Sequence, residues 1–208
     1  MSDQTTPRKK IVLVGASGTL GRAVLTALRE RGHEVVTASR KDADIALDIT
    51  DPASVAELYR QVGRVDAVAS AAGTVPWKRL GELAAEDVRD GFEGKVLSQV
   101  ELVRQGLSSV AENGSFTLIT GILAREPIRT GAVASLANGA VESFVRAAAI
   151  ELPREQRINA VSPTVFEESL DAYGDFFPGF DPVPVRRAAA AYVRSIEGHQ
   201  TGQIYRVE

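Results

Sequence analysis

Ile11-Val-Leu-Val-Gly15-Ala-Ser17-Gly18-Thr19-Leu20-Gly21-Arg-Ala-Val24 is the stretch that decides the fold of this chain. It opens with four consecutive apolar residues, three of them β-branched, the signature of a strand buried on both faces of a parallel sheet. Gly15 ends the run, Gly18 and Gly21 follow, and a helical pattern with Leu20, Val24, Leu25 and Leu28 on one face occupies 19–31. In a strand–turn–helix unit of this kind each glycine has its own task. Gly15 permits the tight turn, Gly18 lets backbone N–H groups approach a pyrophosphate, and Gly21 lets the helix lie close on the sheet. The helix start adds free N–H donors and a partial positive charge. Gly15, Ser17, Gly18, Thr19, Leu20 and Gly21 are therefore candidate cofactor-phosphate residues.

Bulk properties narrow the class. At 208 residues, 44% apolar and 25% charged, the chain suits a single globular domain over 1–208. A net charge of −3 argues against a general nucleic-acid binder. The absence of cysteine excludes disulfides and thiolate chemistry, and two histidines make a histidine metal centre unexpected, so no metal is assigned. No apolar run is long enough to span a membrane, and 1–10 lacks the apolar core of a signal peptide, so the expected location is cytoplasmic. Residues 1–8 read as a flexible arm.

Working outward, a second strand at 34–38 ends in Ser39-Arg40-Lys41. An NAD-binding chain usually places Asp or Glu here for the ribose 2′-hydroxyl. Ser39 and Arg40 instead favour the 2′-phosphate of NADP(H) over NAD(H), because a guanidinium attracts what a carboxylate repels. Ile45-Ala-Leu47 is a short apolar segment, and Asp48 after it either faces the adenine edge or forms a turn. Asp51 before Pro52 starts a helix over 53–62. Strand 65–70 leads into Ala71-Ala72-Gly73, whose small side chains let a ribose pass close to the backbone.

Helices are predicted over 83–90 and 91–110, then a turn at Asn113-Gly114 and a strand over 115–120 ending at Gly121. A helix over 131–152, a strand over 157–163, a helix over 185–195 and a strand over 203–207 follow. Residues 164–184, rich in Phe, Pro, Gly and Asp, form a substrate-side loop, with Phe166, Phe176, Phe177 and Phe180 either an apolar lid or the side chains that pack the loop onto the body. This alternation predicts a Rossmann-type α/β fold, a doubly wound parallel sheet of about seven strands in a three-layer α/β/α sandwich.

The glycine turn, Asp48, Ala71-Ala72-Gly73, the strand ending at Thr120, Ile158-Asn-Ala-Val-Ser-Pro163 and Thr201-Gly-Gln203 together resemble the short-chain dehydrogenase/reductase family over nearly the whole chain. The resemblance implies a nicotinamide cofactor and a homodimer or homotetramer formed through the two long helices. It also implies an active site of Ser, Tyr, Lys and Asn, in which Tyr exchanges a proton with the substrate oxygen. Here the Tyr position falls on Ala134, the Lys position on Asn138, the Ser position on Gly121 and the Asn position on Lys95. No tyrosine lies between Tyr59 and Tyr173, so no small shift restores the motif.

Lys95, Thr120, Asn138 and Tyr173 are the candidate replacements. Lys95 would hold the cofactor ribose or act as a desolvated acid, Thr120 would donate to a carbonyl, Asn138 would bond ribose hydroxyls, and Tyr173 would swing in as proton donor. Two functions fit. One is an oxidoreductase moving hydride between NADP(H) and a small carbonyl or alcohol compound. The other is an NADP(H)-binding sensor that has lost the reaction.

Overall fold

A computed structural model describes residues 7–208. Seven strands form one sheet in the order β3-β2-β1-β4-β5-β6-β7, every neighbouring pair parallel. They are β1 Lys10–Val14, β2 Glu34–Ser39, β3 Ile45–Ala46, β4 Val65–Ser70, β5 Val110–Ile119, β6 Arg157–Pro163 and β7 Ile204–Val207. The sheet is covered on both faces. Helices α1 (Thr19–Glu30) and α7 (Val185–Glu197) pack over one core containing Ile11, Leu13, Leu28 and Tyr192. Helices α2 (Pro52–Val62), α4 (Ser98–Gly106) and α5 (Ala132–Ala148) cover the other, around Val12, Val14, Leu58, Leu102 and Phe116. Residues of β1 alternate between these two cores, which is why that strand is apolar throughout.

The site follows from strand order. From β1 the chain runs outward to β2 and β3, then crosses back to place β4 on the other side of β1. The carboxyl ends of β1 and β4 therefore face a crevice between diverging connections, where ligands of open α/β sheets bind.

Several boundaries differ from the sequence reading. The helix expected over 91–110 is instead α3 (Ala85–Gly91), a π-helical stretch Phe92–Leu97, and α4. Strand β5 starts at Val110 rather than at residue 115. Val110 pairs with Val65 and Ser115 with Ala67, so a bulge containing Asn113 (φ 60°) interrupts an apolar strand that sequence alone splits into helix end and turn. Helix α5 stops at Ala148, four residues short of the expected end, and finishes in turns before Pro153. Residues 164–184 contain short helical turns, including α6 (Leu170–Tyr173), and a bridge of Phe166 to Val183 that ties the two ends together. Of the arm expected over 1–8, residues 1–6 lie outside the described residues, and the Arg8 guanidinium donates to Glu34 at 3.5 Å. Among the described residues no helix is long and apolar enough to cross a membrane.

Candidate functional site: a cleft from the glycine turn to Lys95

The crevice is a cleft of about 640 Å³ lined by the glycine turn, Ser39, Arg40, Asp48, Ala72 and Gly73 among others. Gly15 has φ +81°, and a Cβ there would stand 2.9 Å from the Ala72 Cβ, so turn and β4 end fit only without a side chain. A Cβ on Gly21 would lie 2.0 Å from the Gly15 carbonyl oxygen, the close packing expected of that position. Gly18 differs, because its Cβ would meet only the Gly15 oxygen, at 3.8 Å. Open space therefore lies over Gly18, where α1 begins with no side-chain cap and no acidic residue in its first turn. A helix start left bare in this way is suited to an anion.

Ser17 lines the cleft. Thr19 faces the groove between α1 and α7 instead, and the Leu20 side chain is buried in the core, so only their backbone remains available to a phosphate. The Ser39 hydroxyl donates to the Lys41 carbonyl at 2.5 Å and fixes the turn that presents Arg40. Asp48 is a turn-former: its carboxylate accepts from the Thr50 amide (3.0 Å) and hydroxyl (2.7 Å). Those two bonds hold it below the usual carboxylate range, and the charge of nearby Arg40 lowers it further. It still lines the cleft, beside Leu47 and Ile49.

Past Gly73 and Thr74 the cleft continues into a second pocket of about 450 Å³, which contains Lys95, Thr120, Asn138 and Tyr173. All four candidate replacements thus meet in one place. Lys95 sits in the π-helical stretch, and its stem crosses Gly73: a Cβ there would be 2.7 Å from the Lys95 Cδ. Gln99, which the sequence reading missed, anchors this helix. Its side chain accepts from the Ile119 amide at 2.8 Å and donates to the carbonyls of Ile119 and Lys95, both at 3.0 Å. Burial pushes the Lys95 ammonium down to about 8. No carboxylate lines this pocket to offset that effect.

Asn138 is buried on α5, its Oδ1 without a hydrogen-bond partner. A Cβ on Gly121 would stand 3.2 Å from the Asn138 Nδ2, so the asparagine and the glycine at the expected serine position fit together. The Thr120 hydroxyl lies 3.3 Å from the Glu142 carboxylate and 3.4 Å from the Val161 carbonyl, and the residue also lines this pocket. Glu142, one turn beyond Asn138, also accepts from Ser162 (3.1 Å) and pairs with Arg146 (3.4 Å) and Arg125 (3.7 Å). This network was not visible in the sequence, because its members come from α5, β6 and the connection after β5.

Tyr173 on α6 places its ring 6.3 Å from the only tryptophan, Trp77, which also meets Phe176 at 5.9 Å. Phe177 and Phe180 form an edge-to-face pair at 5.4 Å and pack with Ile122, Leu123 and Ala134. Phe166 packs against the core under α7, so with Phe177 and Phe180 it ties the loop to the body.

Comparisons with known proteins agree with this architecture. A family model described as enoyl-(acyl carrier protein) reductase matches residues 15–195. Versicolorin reductase 1 of Aspergillus parasiticus is 30% identical over 82% of this chain and 74% of its own length. Human L-xylulose reductase is 25% identical over 78% and 73%. Among solved structures, the protein lin1944 from Listeria innocua is 48% identical with a TM-score of 0.94, covering 96% of this chain and 99% of that one. A small-chain dehydrogenase in complex with NADPH superposes with a TM-score of 0.86 at 24% identity, covering 97% of each chain. This chain belongs to the short-chain dehydrogenase/reductase family.

Proposed function

We propose that the chain binds NADP(H) along the cleft and moves hydride between its nicotinamide and a small carbonyl or alcohol compound in the Lys95 pocket. The observation that carries this reading is continuity. One cleft runs from the bare start of α1, past Arg40, over Gly73, to the ammonium of Lys95. The residues suit the dinucleotide: open space over Gly18 for phosphate, Arg40 and Lys41 just past the end of β2, and an unpartnered Asn138 oxygen for a hydroxyl donor.

The nicotinamide supplies or accepts the hydride. Arg40 holds the 2′-phosphate, and the α1 start holds the pyrophosphate. Lys95, in its ammonium form, hydrogen-bonds the substrate oxygen and gives it a proton in reduction, or takes one back in oxidation. Its depressed proton affinity suits that exchange near neutral pH. Thr120, whose hydroxyl also reaches Glu142, orients the substrate oxygen from the same pocket.

Calorimetric titration with NADPH and NADH is the test. Tight NADPH binding, weak NADH binding and oxidation of bound NADPH by a carbonyl compound are expected. Binding of neither refutes the reading, and NADPH binding without any oxidation favours the sensor.

A further inference from the structure

Three properties of the Lys95 pocket together define the compound it takes. The first is its wall. Trp77, Tyr173 and Phe177 line it, and Trp77 and Tyr173 are 37% and 46% exposed. Rings left this open toward a cavity suit a flat ring system that covers them. The second is charge. Lys95 is the one charged residue among the lining residues and has no counter-ion there, so an oxygen that carries or develops negative charge is favoured. The third is the set of polar groups around the ammonium. The hydroxyls of Thr74, Thr164 and Tyr173 and the Asn138 amide also line the pocket, so each oxygen of a dicarbonyl can meet a partner. A conjugated dicarbonyl becomes an oxygen anion spread over its ring, with a basicity near that of a phenol, about 10. A lysine ammonium is sufficient for that oxygen.

We propose that the pocket takes a planar conjugated dicarbonyl compound of the quinone class and reduces it to the hydroquinone. This rests on the NADP(H) reading above. The hydride from NADPH, with its two electrons, forms an O–H bond at one quinone oxygen as the C=O π bonds break and the ring becomes aromatic; Lys95 gives its proton to the other oxygen, and the products are NADP⁺, the hydroquinone and the neutral amine. The neutral amine then regains its proton from solvent. The aromatic wall stacks on the rings, and the ammonium holds the reacting oxygen.

Because Trp77 is the only tryptophan in the chain, its emission reports on this wall directly. The probe is 2-hydroxy-1,4-naphthoquinone, a planar oxyanion at neutral pH, titrated with and without NADP⁺ against a tryptophan-amide control. Saturable quenching is expected, about tenfold weaker in Lys95→Met, as loss of one charged contact implies, and recovered in Lys95→Arg. With NADPH, 1,4-naphthoquinone should be reduced faster than cyclohexanone after the protein-free rate is subtracted. Quenching that does not saturate, or that Lys95→Met leaves unchanged, overturns the proposal, as does a preference for cyclohexanone. The NADPH calorimetry separates the two claims. Binding of NADPH with no naphthoquinone response removes only the substrate class, whereas no NADPH binding removes the reduction itself.

Discussion

Replacing Lys95 by methionine should stabilise the ligand-free protein, by an amount that depends on pH in a defined way. In the unfolded chain this ammonium loses its proton near 10.5, and in the folded protein near 8, because burial penalises the charged form. Below about pH 8 both states are protonated, and the folded state carries the whole penalty. Each pH unit of displacement corresponds to about 1.4 kcal/mol, so the full penalty is at most about 3.5 kcal/mol, and nearer 2 because part of the side chain remains in water. As pH rises from 8 toward 10.5 the folded protein releases the proton while the unfolded chain keeps it, and the penalty fades. Methionine keeps the stem that covers Gly73 and removes the charge. Urea unfolding at pH 7 and at pH 10 should therefore show Lys95→Met more stable than the parent at pH 7 by about 2–3 kcal/mol, with the difference reduced to below about 1 kcal/mol at pH 10. Other titrating groups are common to both proteins and cancel. A difference that is the same at both pH values would refute the desolvated ammonium, and with it the basis for assigning Lys95 the proton.

Arg40→Ala should weaken NADPH by about 1.5–3 kcal/mol while leaving NADH nearly unchanged, measured by calorimetry, because a charge-assisted phosphate contact is lost. Gly21→Ala puts a methyl group 2.0 Å from the Gly15 carbonyl oxygen, so NADPH binding and thermal stability should fall together. Glu142→Ala strips Thr120, Ser162, Arg125 and Arg146 of their shared acceptor. Removing one partner from a buried charge network costs about 3–5 kcal/mol, readable as a shifted urea midpoint. Reduction of 1,4-naphthoquinone by NADPH, run across pH, should lose rate above about pH 8 as Lys95 surrenders its proton.

How much of this was legible in the sequence differs by element, and the reasons are physical. Strands β1, β4 and β6 are buried on both faces, so their composition announces them without any tertiary knowledge. The glycine turn was equally plain, because three positions without side chains at that spacing have few other uses. Strand β5 was mislocated at its start because Ala111 to Gly114 bulge out, and a bulge erases the alternation on which a strand reading depends. The π-helical stretch leaves no trace in composition, since its existence depends on what its two ends are fastened to. The contact between Thr120 and Glu142 was hidden for a similar reason, because Glu142 lies on a different element.

That stretch carries one more consequence. Gly91 is held against α5, where a Cβ would come within 2.2 Å of a Val133 methyl, and Gln99 is pinned to the end of β5. Between those two fastenings the helix holds Phe92–Leu97 in wider turns than an α-helix would. Removing one residue would rotate one fastening against the other by about 100°. Either Lys95 would swing away from Gly73, or one of the fastenings would tear. The aim of the lysine is thus stored in a residue count, and the segment should accept exchanges at its exposed Glu93 and Leu97 while rejecting any change in length. A chain that had lost a single codon here would keep every side chain proposed for the reaction and still be unable to perform it.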